Sequence, residues 1–400
     1  MQATWEVLRD TVLPSAFPTD HPRYLAFVGG APTVAATLAD VAVSASAVYG
    51  GSELEAGFVV QAERTAARWL CDTVGLPPEA HGVFVSGGSI ANLSALVAAR
   101  QSTWRATGRI PTVIVAAASV HSSVWASAGI MGCRVVSAGS ADHALRADEL
   151  EPVLDTLDLD DTVAVVVSAG ATNTGAVDRL DEIADSCQAR GLWLHVDAAY
   201  GGAALLSPRT RGAFHGIDRA DSVTIDPHKW LFTPFDCAAV LYKDPLAARA
   251  AHRQQAEYLD ATSPVDAAMD NPADYAVPLT RRARGLPLWA SLVANGTQAY
   301  RDAVETCLDL ADHAAAAIAC RPWLEQVAPG HLSVVLFRRH GWTRADYDAW
   351  SELARASGEA LVTATRYAGE SVLRFCFVNP TTSRADIDAI LDSLEHRAHG

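Results

Sequence analysis

Three short stretches carry residue types whose spacing suits chemistry. In DSVTIDPHKWLFTPFDC (221–237) an apolar run ends at Asp226, and Pro227, His228 and Lys229 follow. That position is the carboxyl edge of a strand, where open α/β sheets gather ligands. A lysine flanked there by an imidazole and an indole is partly desolvated, which favours the neutral amine needed to form an imine. Taken alone, the same string also describes a surface lysine in an ordinary loop. In LHVDAAYGG (194–202) Asp197 closes a second apolar run, so its carboxylate belongs at the same edge. Alone, it reads more readily as an Asp capping the next turn. A metal role is disfavoured, because no His, Asp or Glu nearby has ligand spacing. In FVSGGSIANL (84–93) Gly87 and Gly88 let the backbone approach an anion, and Ser89 opens a helix whose free amides face it. The pattern is neither GxGxxG nor GxxxxGK[ST], which disfavours dinucleotides and nucleoside triphosphates.

Together these stretches match what pyridoxal phosphate (PLP) requires. The glycine turn suits its phosphate. The acid suits the pyridinium nitrogen, because a protonated ring is the better electron sink, and the lysine suits its aldehyde.

Elements that position such groups are visible around them. Apolar, β-branched runs at 112–118, 133–138, 162–169, 192–197, 221–226 and 238–242 predict strands. Helical periodicity at 89–104 and 177–191 lies between several of them. Strands alternating with helices predict an α/β fold with a mostly parallel sheet covered on both faces. Residues 245–285 are polar, irregular and punctuated by proline, the mark of a functional loop. A helix near 286–318, a strand at 333–338, a helix near 343–357, a strand at 372–378 and a last amphipathic stretch predict a small C-terminal α+β domain. The expected division is 1–48 as an N-terminal segment, 49–290 as the cofactor domain with a loop at about 250–280, and 291–400 as the small domain.

Composition sets the class. Half of the 400 residues are hydrophobic and 19% are charged, enough for a large core. A formal net charge of −15 argues against a nucleic-acid binder. The seven cysteines are scattered and form no C-x-x-C pair, which suggests reduced thiols in a cytoplasmic protein. The N-terminus lacks a secretory pattern, and no apolar run approaches a membrane span.

With these motifs in hand, the chain resembles the group II pyridoxal-phosphate amino-acid decarboxylases, the family of aromatic-L-amino-acid and glutamate decarboxylases. The resemblance runs from HPRYLAFVGG (21–30) to VLRFCFVNPTTSRADID (372–388), and DPHKW with HVDAAYGG carries it. It implies the fold-type I PLP-dependent transferase fold, with a seven-stranded-type central sheet and a homodimer whose active site lies at the subunit interface. It implies decarboxylation of an L-amino acid to the amine and CO2 through a Lys229 Schiff base. His121, in SVHSSVWAS, would stack on the cofactor, and Thr172, in GATNTGAVD, would lie near its ring substituents. Asp197, Asp226 and His228 would flank it, and Gly88 and Ser89 would form the phosphate turn. Tyr258, in AEYLD, matches the loop tyrosine that protonates Cα and so favours the amine over an aldehyde. Thr280 and Arg281, in LTRRARG, match a stretch that approaches the neighbouring subunit's cofactor phosphate.

Two departures from the family are expected to matter. Only 20 residues precede His21, fewer than relatives commonly carry. The substrate wall at LAFVGG (25–30) is plain, with Phe27, Val28 and, further on, Tyr49 as candidate substrate contacts. Arg23 is the one nearby cation, so a neutral aromatic or branched aliphatic substrate is favoured. Aldehyde formation, retro-aldol cleavage and transamination are the rival outcomes on this fold. A PLP-binding protein without turnover is a rival of another class. A nicotinamide dehydrogenase is set aside by the missing fingerprint.

Overall fold

The computed structural model describes residues 1–254 and 271–395. The chain divides into two compact units, one of Pro32–Val304 and one formed by Met1–Ala31 with Glu305–Gly400. The first 31 residues thus group with the C-terminal part, and the break falls at 304/305. From sequence alone 1–48 was expected to stand apart and the break to fall at 290/291.

The larger unit is built on a seven-stranded sheet: β1 (His81–Val85), β2 (Val113–Ala117), β3 (Arg134–Ala138), β4 (Thr162–Ser168), β5 (Leu194–Asp197), β6 (Ser222–Ile225) and β7 (Ala238–Tyr242). Their order is β1-β7-β6-β5-β4-β2-β3. Pairing is parallel from β6 through β3, and only β7 runs against both its neighbours. The sheet is therefore mostly parallel, as the alternation of apolar runs and helices predicts. All seven residues of β4, TVAVVVS, are buried, the pattern of a strand covered on both faces. Six strands fall where the sequence places them. β1, HGVFV, is the one it does not announce, being short and broken by a glycine.

Helix Gly88–Thr107 follows β1 at once and packs its apolar residues, among them Ala91, Ala95 and Ala98, into the core shared with Val83, Val240 and Tyr242. Small side chains there allow the helix to lie close to the sheet, which sets the depth of everything on that helix face. Helix Leu180–Arg190 covers the stretch expected from 177–191.

The smaller unit carries an antiparallel sheet of four strands, β8 (Leu324–Gln326), β9 (Val334–Arg339), β10 (Thr363–Tyr367) and β11 (Glu370–Cys376), in the order β10-β11-β9-β8. Helices Arg344–Ala356 and Arg384–Ser393 each open with a capping box, Thr343 with Asp346 and Ser383 with Asp386. The N-terminal segment is tied in by backbone bonds from Leu25 and Ala26 to the Leu361 carbonyl and by the Arg23–Asp386 ion pair at 2.8 Å. Among the described residues no helix is long and apolar enough to cross a membrane.

Candidate active site

Parallel strands bring the loops after their carboxyl ends to one edge of the sheet. There a cavity of about 290 Å³ is lined by Gly87, Gly88 and Ser89 after β1, by His121 after β2, and by Ser168, Gly170 and Thr172 at and after β4. Asp197, Ala199 and Tyr200 line it at and after β5, Asp226, His228 and Lys229 after β6, and Asn92 from the helix face. Nine positions named from sequence (Gly87, Gly88, Ser89, His121, Thr172, Asp197, Asp226, His228 and Lys229) therefore share one cavity.

The backbone is shaped for close approach at two glycines. A Cβ on Gly88 would lie 2.8 Å from Asp226 Oδ2, so only glycine lets the helix start over that carboxylate. Gly170 has φ +110, a left-handed conformation, and a Cβ there would lie 2.8 Å from the Gly201 backbone. The two turns thus close on their neighbours without side chains.

The polar groups are arranged differently from one strand end to the next. Asp197 is buried, with Oδ1 accepting from the Ala199 amide at 3.1 Å and Oδ2 from Asn92 Nδ2 at 2.8 Å. Asp226 is 2% exposed. Its Oδ2 lies 3.0 Å from Lys229 Nζ and 3.5 Å from His228 Nε2, while its Oδ1 is buried without a hydrogen-bond partner. Lys229 therefore has a carboxylate neighbour that the sequence argument, built on imidazole and indole alone, does not contain. Burial pushes the His228 imidazole below its ordinary pKa, opposed in part by Asp226. Its Nδ1 accepts from the Cys237 amide at 3.1 Å, so in the neutral ring the proton sits on Nε2, facing Asp226. The indole of Trp230 is fully buried and stacks on Tyr200, with ring centroids 5.3 Å apart, which anchors the segment carrying Lys229. His121 is exposed, and its Nδ1 accepts from the Ser123 amide at 3.2 Å.

Four other sequence candidates, Tyr49, Thr280, Phe27 and Val28, are not among the lining residues. Tyr49 gives its hydroxyl to the Leu279 carbonyl at 3.0 Å and does not line the cavity. Thr280 is exposed. Phe27 and Val28 belong to the smaller unit, where the Phe27 carbonyl accepts from Arg374 at 3.0 Å. Tyr258 lies outside the described residues.

The expectation that Arg281 reaches a neighbouring subunit is corrected. Its guanidinium is 3% exposed and forks onto Glu63 at 2.7 and 2.9 Å, with further bonds to the Gly50 and Phe84 carbonyls. Glu63 also accepts from the Gly285 amide at 2.7 Å. A cation so desolvated, with both terminal nitrogens bonded within its own chain, serves the fold.

The chain's own residues fit PLP. They offer an anion turn without side chains, a lysine within reach of the cavity, a fixed carboxylate, and at Asp226 a buried oxygen still lacking a donor.

Comparison with known proteins agrees. The family model of the pyridoxal-dependent decarboxylase conserved domain matches residues 3–340. An aromatic-L-amino-acid decarboxylase of Bacillus atrophaeus is 33% identical over 94% of this chain and 81% of its own. An L-2,4-diaminobutyrate decarboxylase of Rhizobium meliloti is 31% identical over 96% of this chain and 80% of its own. Among solved structures, Oryza sativa TDC with PLP and tryptamine superposes with a TM-score of 0.89 at 25% identity, covering 98% of this chain and 87% of that one.

Proposed function

Because the chain belongs to the pyridoxal-dependent decarboxylase family, carboxy-lyases that work with PLP, we propose that it converts a neutral L-amino acid, aromatic or branched aliphatic, to its amine and CO2. The observation that carries the reading is the single cavity shared by Lys229, Asp197 and the Gly87–Gly88–Ser89 turn. The substrate preference rests on the lining: among the described residues no arginine lines it, Asp197 has both oxygens bonded, and Asp226 already faces Lys229. A substrate carrying a second charge would go unpaired there.

Bound PLP supplies a protonated ring that takes up the electron pair left at Cα as CO2 departs. Ser89 and the free amides at the helix start would hold its phosphate. Asp197 would hold the proton on its ring nitrogen. Lys229 would supply the Nζ amine that binds its aldehyde carbon. His121 would lie beside the ring and orient the substrate carboxylate, an effect of placement. Thr172, His228 and Asp226 would flank the ring. Tyr258 is assigned the proton delivered to Cα, on its position in the sequence alone.

A homodimer with the site at its interface is part of the proposal, with Thr280 of one copy approaching the cofactor of the other. Supporting it, Val34, Leu38 and Val41 form an exposed apolar stripe on helix Val34–Ala45, and Phe58 is 95% exposed. Phe27, Val28 and Tyr49 are proposed as substrate contacts, and the cytoplasm as the setting, in keeping with seven cysteines that form no disulfide.

The test is a product assay: protein with PLP and a panel of L-amino acids, with amine and aldehyde resolved by mass. Amine from neutral substrates, abolished in Lys229→Ala, is expected. Aldehyde from the wild type would sink the assignment of Tyr258, and turnover of acidic or diamino substrates alone would sink the substrate class.

A further inference from the structure

One face of β5 carries more polar groups than the reaction uses. Trp193, just before the strand, alternates with His195 and Asp197, so their side chains share a face. Asn92, one helical turn after Gly88, lies against it. Trp193 Nε1 donates to Ser222 Oγ at 2.9 Å, and Ser222 Oγ is 2.9 Å from His195 Nδ1. His195 Nε2 is 3.1 Å from Asn92 Oδ1, and Asn92 Nδ2 donates to Asp197 Oδ2 at 2.8 Å and to Ser123 Oγ at 3.0 Å. His195 and Ser222 are completely buried, and Asn92 is 1% exposed.

The chemistry of the end group fixes the direction of every link. An ionised carboxylate only accepts, so the amide nitrogen of Asn92 must face Asp197 and its oxygen must face His195. His195 must then carry its proton on Nε2, leaving Nδ1 to accept from the Ser222 hydroxyl. That hydroxyl in turn accepts from the Trp193 indole. Burial holds the imidazole neutral, lowering its pKa to about 4 against the opposing pull of Asp197. Four donors therefore point one way, each polarising the next, and end on the carboxylate. Through Ser123, whose amide donates to His121 Nδ1, Asn92 also braces the segment of the stacking histidine.

We propose that Asn92 and His195 are positioning residues, which hold the Asp197 carboxylate in register for the cofactor's ring nitrogen through this oriented chain. The inference rests on the assignment of Asp197 above. It makes the β5 histidine and the helix asparagine part of the machinery without contact to the substrate.

The experiment compares the holoenzyme with His195→Leu, Asn92→Leu and His195→Gln. The glutamine amide can donate to Asn92 and accept from Ser222, so it preserves the direction of the chain. The readouts are PLP affinity and the pH titration of the bound cofactor's visible absorption, with thermal melts to establish folding. Both leucine variants should bind PLP about tenfold more weakly, the loss of roughly one charged hydrogen bond, and shift the titration midpoint. Glutamine should restore both. Leucine variants that match wild type in affinity and spectrum would overturn the proposal, as would folded glutamine and leucine variants with equal defects. An independent reading needs no variant: ¹⁵N NMR of histidine-labelled wild-type holoenzyme should show His195 protonated on Nε2, and protonation on Nδ1 would overturn it. If wild-type protein forms no adduct at Lys229 on borohydride reduction with PLP, the site assignment fails first, before any variant is compared.

Discussion

Two carboxylates stand at neighbouring strand ends of one sheet, yet their surroundings differ. Asp197, at the end of β5, has both oxygens bonded by donors that belong to the fold, an amide and the Asn92 side chain. Asp226, after β6, shares one oxygen with Lys229 and leaves the other without a partner. The first is an anion set in place before any ligand arrives, at no cost of rearrangement during reaction. The second is an anion whose partner is the very amine that must come and go. One sheet edge thus separates a fixed charge from an exchangeable one by a single strand spacing.

That contrast can be broken from either side. The largest effect is expected at the fixed charge: Asp197→Ala should lower kcat/KM on the order of 10³-fold, as loss of a preorganised electrostatic partner does. Asp226→Asn should cost only about tenfold by the same assay, since it removes a charge but keeps a polar neighbour for Lys229. Equal losses would erase the distinction. A third buried acid sharpens it: Glu63 is bonded wholly within the fold, so Arg281→Ala should leave it unpaired and cost roughly 3–5 kcal/mol in denaturant unfolding. A Gly88→Ala variant crowds Asp226 and leaves Asp197 untouched. It should weaken PLP binding about tenfold by direct titration, the scale of one overpacked methyl group.

The smallest effect is one of pH. The His195 pKa is lowered in the folded protein, from 6.5 to about 4, chiefly by burial. As pH falls below 6.5 the unfolded chain binds a proton that the native state refuses. The stability this group contributes is therefore full above 6.5 and is lost progressively as pH falls toward 4. Wild type should lose stability over that window in urea unfolding, and His195→Gln should lose less. Parallel curves would place the imidazole's titration elsewhere.

Much of this was legible in the residues. Strands β2 to β7 announce themselves as apolar β-branched runs, and the acid, the lysine and the glycine turn each sit where a strand stops. Asn92 and His195 were within the quoted motifs but went unread, because a polar residue inside an apolar run looks like a tolerated exception. Their signal was periodicity: His195 is two residues from Asp197 on a strand, and Asn92 is four from Gly88 on a helix. Arg281 was misread because sequence shows a cation but not the Glu63 that neutralises it 218 positions away. The joining of residues 1–31 to the C-terminal unit uses backbone bonds between Leu25, Ala26 and Leu361 and an ion pair between Arg23 and Asp386, partners too far apart in the chain for a local pattern to show. β8 and β10 were missed for the related reason that LEQ and TATRY are half exposed and scarcely apolar.

The reversed strand β7 has a kinetic consequence. It alone joins β1, and with it the glycine turn, to the rest of the sheet, pairing Val83 with Val240 roughly 160 residues later in the chain. Closing so long a loop is slow, while β2 to β6 pair over shorter separations. A refolding chain is therefore expected to gather its lysine and its acid before its phosphate turn, so that the gain of cofactor affinity marks the last closure of the sheet.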